Sequence, residues 1–85
     1  MFFLYILQSQ SSGKFYVGSA QNPLDRLIEH NRGQTKSTRG RGPWRLVYQE
    51  EFIDSSEALR RERQLKSWKS HRSIQELIDA SNVHS

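Results

Sequence analysis

The chain contains no cysteine, so neither a disulfide nor a thiolate metal site can reinforce the fold. Any metal must be held by oxygen or imidazole ligands. Long apolar runs are missing as well. The most apolar stretch, Met1 to Leu7, is far shorter than the about 20 residues of a membrane span and lacks the basic leader of a secretory signal. It reads as a buried strand of a cytoplasmic protein with no membrane contact. Acids are absent from a whole segment: Arg32, Lys36, Arg39, Arg41 and Arg45 follow one another without a single Asp or Glu. A second basic block, Arg60, Arg61, Arg63, Lys66, Lys69 and Arg72, holds Glu62 as its only acid.

What is present is one small domain. At 85 residues, roughly 60–65% of the unfolded surface can be buried, so the core is thin. Residues 1–80 are expected to form the domain and 81–85 a disordered tail. The formal net charge of +4, concentrated in two blocks, suggests a phosphate backbone as partner. Charge by itself also fits a merely soluble surface.

Phe2 to Gln8 reads as a strand, and Phe15 to Ala20 as a second, joined through the turn signal Ser11-Ser12-Gly13. Asn22 then caps a helix with Pro23 at its first position and Asp25 in its first turn. Leu24, Leu27 and Ile28 form its apolar stripe, and Gly33 ends it. Gln34 to Pro43 is a basic loop of a length that is often functional or mobile. Trp44 to Phe52 is a third strand. Ser55 or Ser56 caps a helix running to about Trp68, and Ser70 caps a third, with Ile74, Leu77 and Ile78 buried. The order β-β-α-β-α-α implies an α+β domain, a small three-stranded antiparallel sheet flanked by three helices.

Three constellations can carry chemistry. Tyr5 and Tyr16 sit mid-strand, where tyrosine commonly just packs. Gly18, two residues after Tyr16, removes bulk on the same face. Arg26 and His30, one turn apart, point away from the apolar stripe; they are either a solvated face or a guanidinium fork with an imidazole beside it. Glu62 falls inside the apolar arc of Ala58, Leu59, Leu65 and Trp68. A buried carboxylate needs a partner. Arg61 is one candidate and a divalent cation such as Mg²⁺ the other.

In this order and spacing the residues resemble the GIY-YIG nuclease family. Its first motif corresponds to Phe3-Leu4-Tyr5 and its second to Tyr16-Val17-Gly18, followed by Arg26, His30 and Glu62. The match spans residues 2 to about 70, and Ser37-Thr38-Arg39 with Pro43-Trp44-Arg45-Leu46-Val47-Tyr48 is similar to the short stand-alone, UPF0213-type members. The first motif departs from the pattern at Phe3 and Leu4, where the family has glycine and isoleucine. Asn82 is too near the end to match a late asparagine used by some relatives.

The resemblance implies hydrolysis of DNA phosphodiesters with one divalent metal, Mg²⁺ or Mn²⁺, in repair or recombination. Tyr5 would be the general base, Tyr16 would orient the water or share that role, and Arg26 together with the metal would favour phenolate and stabilise transition-state charge. His30 would bond a tyrosine or the phosphate, and Glu62 would ligate the metal. Lys36, Thr38, Arg39, Arg41, Arg60, Arg61, Arg63 and Lys66 would track the DNA backbone. Relatives that cut defined sites carry added DNA-binding domains, so low sequence specificity, structure selectivity or a targeting protein partner is expected. The alternative is a nucleic-acid-binding module with little or no cleavage.

Overall fold

A computed structural model describes residues 1–82. Its elements are β1 (Phe2–Ser9), β2 (Phe15–Ala20), α1 (Pro23–Asn31), β3 (Trp44–Phe52), α2 (Ser55–Ser67) and α3 (His71–Asn82). The sheet is antiparallel with strand order β2-β1-β3. β1 is central, which explains its nearly continuous apolar run: both of its faces are covered.

Alternation along β1 divides the core in two. Leu4 and Ile6 pack with Val17, Leu65, Ile74 and Ile78 beneath α2 and α3. Tyr5 and Leu7 pack with Trp44, Tyr16 and Leu27 on the α1 side. A register shift between Ile6 and Leu7 inserts Val47 opposite no partner, so that Val47 and Tyr48 both join the α2–α3 side. Each core is small, in keeping with the chain length.

The helix starts follow the expected capping chemistry in two cases. Asn22 Oδ1 accepts from the Asp25 amide at 3.3 Å, and Ser70 Oγ accepts from the Ser73 amide at 3.2 Å. At α2 the cap position belongs to Asp54, with Ser55 already helical and no side-chain cap bond. Gly33 adopts φ +76°, the left-handed conformation that ends a helix without a Cβ penalty.

Three expectations need correction. Leu24 and Ile28 are 61% and 49% exposed; α1 instead turns Pro23, Leu27 and His30 inward. A helix this short, with Pro23 buried at its start, docks by the residues that meet Tyr5 and Trp44, not by its most apolar arc. The Gln34–Pro43 loop is not loose. Ser9 Oγ donates to the Arg41 carbonyl at 2.6 Å, Trp44 Nε1 to the Thr38 carbonyl at 3.2 Å, and Arg39 Nε to the Gly33 carbonyl at 2.7 Å. Finally, α3 continues through Ser81 and Asn82, because the Ile74/Ile78 face carries its last turns. The rest of the expected tail, 83–85, lies outside the described residues.

Candidate active site

The site begins with the pairing of β1 and β2, which sets Tyr5 opposite Gly18. An added Cβ at Gly18 would stand 2.6 Å from the Tyr5 hydroxyl oxygen, so the glycine is the floor on which the phenol lies. Tyr5 is 1% exposed. Its oxygen lies 3.1 Å from Nε2 of His30, which α1 delivers from above.

The imidazole is itself held. His30 Nδ1 lies 2.7 Å from Thr38 Oγ1, and the Thr38 hydroxyl donates to the Thr35 carbonyl at 3.3 Å. A hydroxyl has one proton, so Thr38 accepts from Nδ1–H, and Nε2 is left as the acceptor of the Tyr5 proton. The chain of donors thus runs from Tyr5 through His30 and Thr38 to a backbone carbonyl. Burial, reinforced by the Arg26 charge, pushes His30 below its ordinary pKa and keeps it neutral.

Tyr16 lies on the same face, its ring centroid 4.7 Å from that of His30 and 6.4 Å from that of Tyr5. Among the described residues its hydroxyl has no protein partner, and no buried side-chain polar atom is unpartnered, so this hydroxyl faces solvent. Burial pushes the Tyr5 phenol above its ordinary pKa, and the nearby Arg26 guanidinium offsets this only in part. Removing the ring from water outweighs one half-exposed cation, so Arg26 by itself does not make Tyr5 a ready phenolate. Arg26 also donates to Glu29 Oε1 at 2.7 Å.

Glu62 approaches from the other side of the sheet. Ser19, opposite Leu4, faces α2, and its hydroxyl donates to Glu62 Oε1 at 2.7 Å. Lys66 Nζ lies 2.6 Å from Oε2 and 5.9 Å from the centre of the Tyr16 ring. The site therefore straddles edge strand β2, with the tyrosines on one face and the carboxylate on the other. Glu62 is paired after all, but not with Arg61. That guanidinium turns toward β3 and grips Glu50 at 2.9 and 3.0 Å, with the Tyr48 hydroxyl donating to the same carboxylate. Burial raises the Glu50 carboxyl, but the Arg61 and Tyr48 hydrogen bonds outweigh it and hold it below the usual carboxylate range. The Tyr48 phenol, desolvated and beside that charge, is pushed up to about 12.

One carboxylate, Glu62, is the oxygen donor that a hard cation could use here, and both its oxygens are engaged, Oε1 by Ser19 and Oε2 by Lys66. The Glu62 side chain is 16% exposed, and its outer oxygen already accommodates positive charge from Lys66, which is 50% exposed and free to swing away. Among the described residues no three His, Cys, Asp or Glu side chains converge. A metal here would have Glu62 as its protein ligand and complete its shell with water and phosphate oxygens, as Mg²⁺ commonly does.

Of the remaining candidates, Lys36, Arg39, Arg41, Arg60 and Arg63 are exposed. Two are not where backbone contact requires them. Thr38 is buried against His30, and Arg61 is spent on Glu50. Sequence reasoning missed Ser19, whose one signal was its position next to the Tyr16-Val17-Gly18 motif, and read Thr38 as a backbone contact and Trp44 only as part of a strand motif.

Comparison with known proteins bears on the family and the fold. The model of the GIY-YIG catalytic domain matches residues 1–75. A UPF0213 protein of Staphylococcus aureus is 45% identical over 67 residues, covering 78% of this chain and 80% of the relative. One from Staphylococcus saprophyticus is 43% identical over the same span. The solution NMR structure of a UPF0213 protein from Bacillus halodurans superposes with a TM-score of 0.58 at 35% identity, covering 94% of this chain and 85% of the other.

Proposed function

The chain belongs to the GIY-YIG catalytic domain family, and from that membership we propose that it is a metal-dependent endonuclease hydrolysing DNA phosphodiester bonds with little sequence selectivity, in the cytoplasm and in the service of repair or recombination. The observation that carries the reading is the Tyr5–His30 hydrogen bond at 3.1 Å, set beside a solvent-facing Tyr16.

In the proposed reaction Tyr16 orients the attacking water. Tyr5, sealed from bulk solvent, serves only a water so ordered. As its oxygen accepts the water's proton, its own proton passes to Nε2 of neutral His30, so no free phenolate need accumulate. The new P–O bond forms from the water oxygen while the bond to the 3′ oxygen breaks. Arg26 stabilises charge on the pentavalent phosphorus. A divalent ion held by Glu62 would supply Lewis-acid stabilisation of the leaving oxygen. Exposed Lys36, Arg39, Arg41, Arg60 and Arg63 supply sequence-independent affinity.

Incubating supercoiled, nicked and branched DNA with Mg²⁺ or Mn²⁺ tests the reading. Wild type should cut at least one substrate and Glu62→Ala should not; identical behaviour on every substrate overturns it. One observation favours a second reading, a binding module without cleavage: Glu62 is already paired with Lys66 and accepts from Ser19. That reading requires salt-sensitive DNA binding that persists in EDTA and survives Tyr5→Phe, with no cutting under any metal.

A further inference from the structure

Beside the site a groove of about 400 Å³ opens between the start of β2 and the junction of α2 with α3. Tyr16 is among the residues that line it. Its floor is apolar, with Val17 and Leu65 buried beneath. Lys14, Lys66 and Lys69 surround it, and no acid lines it. On its wall the Phe15 and His71 rings stack at 4.5 Å with 19° between planes. His71 is exposed, so the outer face of this stack is open to solvent.

Cations around an aromatic platform are the elements by which proteins hold single-stranded nucleic acid: lysines follow the phosphates and rings receive the bases. The size argues the same way. A groove at the lower end of the small-ligand range has room for one nucleotide. Charge complementarity is one-sided, since only an anionic occupant is matched.

We propose that this groove takes one unpaired nucleotide next to the cleaved phosphate, with its base on His71 and its flanking phosphates on Lys14 and Lys69. The substrate is then DNA with a single-stranded segment at the cut. The inference takes its setting from the nuclease reading, but the binding it requires does not depend on cleavage.

The test is fluorescence anisotropy of the full chain in EDTA, with a labelled oligodeoxythymidine of about 12 nucleotides and a blunt hairpin duplex as probes. His71→Ala should weaken single-strand binding roughly tenfold. Lys14→Ala with Lys69→Ala should flatten the single-strand salt dependence by about 1.4 in the log–log slope, at roughly 0.7 per phosphate. Duplex binding should stay nearly constant in both variants. In NMR spectra of wild type, the His71 ring protons should shift on adding the oligonucleotide. Equal losses on both probes, no loss on either, or His71 signals that stay fixed while the strand binds would each overturn the proposal. If the groove binds the strand but no metal supports cutting, the groove stands and the nuclease reading falls. Should the chain cut DNA while the groove variants bind like wild type, the groove alone falls.

Discussion

The Tyr5 hydroxyl and Nε2 of His30 lie 3.1 Å apart, buried, and joined across 25 positions of sequence. This contact turns a strand tyrosine and a helix histidine into one proton-handling unit. Its direction follows from Thr38, which occupies the other ring nitrogen at 2.7 Å. Four predictions concern this unit and its surroundings.

His30 is held below its ordinary pKa by burial and by Arg26, so the unfolded chain binds the proton first as pH falls. Stability present above the unfolded value of about 6.5 is therefore lost as pH drops through that value toward the lower folded one. Thermal melts between pH 7.5 and pH 5, both about the physiological range of histidine titration, should show this loss in wild type. His30→Gln should lack that share of it. Cleavage should fall at lower pH than stability does, as pH drops through the lowered folded value, because protonated His30 cannot accept from Tyr5.

Gly18→Ala places a methyl 2.6 Å from the Tyr5 oxygen and 2.7 Å from its ring carbon Cζ. Tyr5 is buried and cannot swing aside freely, so the cost is about 1–3 kcal/mol. Denaturant titration should register the loss, and nicking should fall more steeply than stability accounts for. A fully stable, fully active Gly18→Ala chain would contradict the tight approach.

Thr38→Val leaves the His30 Nδ1–H without its acceptor at a cost of about 1–3 kcal/mol, whereas Thr38→Ser keeps it. Nitrogen NMR of the ring should find the proton on Nδ1 in wild type and in Thr38→Ser. In Thr38→Val the two tautomers should mix and cleavage should drop. DNA affinity should barely change, since Thr38 is buried.

Lys66 pairs with the carboxylate proposed to hold the metal. Lys66→Met removes that competitor, so half-maximal nicking should require severalfold less Mg²⁺, while DNA binding weakens by about one phosphate contact in its salt slope. Magnesium titrations of the two proteins at fixed ionic strength decide it. An unchanged or higher metal requirement would separate Lys66 from the metal site.

Much of the fold was legible because short-range periodicity reports burial. The Ser11-Ser12-Gly13 turn between the first two strands, the nearly continuous apolar run in β1 and the Asn22-Pro23 start each follow from local chemistry. The stripe of α1 misled because the inward face of a nine-residue helix depends on what it meets. Its partners were Tyr5 and Trp44, and a buried histidine satisfied by two hydrogen bonds is as acceptable there as leucine. Thr38 and Arg61 misled for a related reason. Each looked like surface by composition, yet each is taken up by a partner distant in sequence.

By itself, then, the sequence determined the element order and the antiparallel α+β architecture, which rest on residue type and spacing along the chain. Tyr5, Tyr16, Arg26, His30 and Glu62 stood out as an ordered set only through the resemblance to a known family. Only the tertiary structure decided that Tyr5 is sealed while Tyr16 meets solvent, that His30 accepts from Tyr5, and that Glu62 reaches the site around strand β2. Those depend on hydrogen bonds spanning 25 and 43 positions. Such bonds form only once strand register and helix docking have brought the groups within about 3 Å, and no local periodicity encodes that.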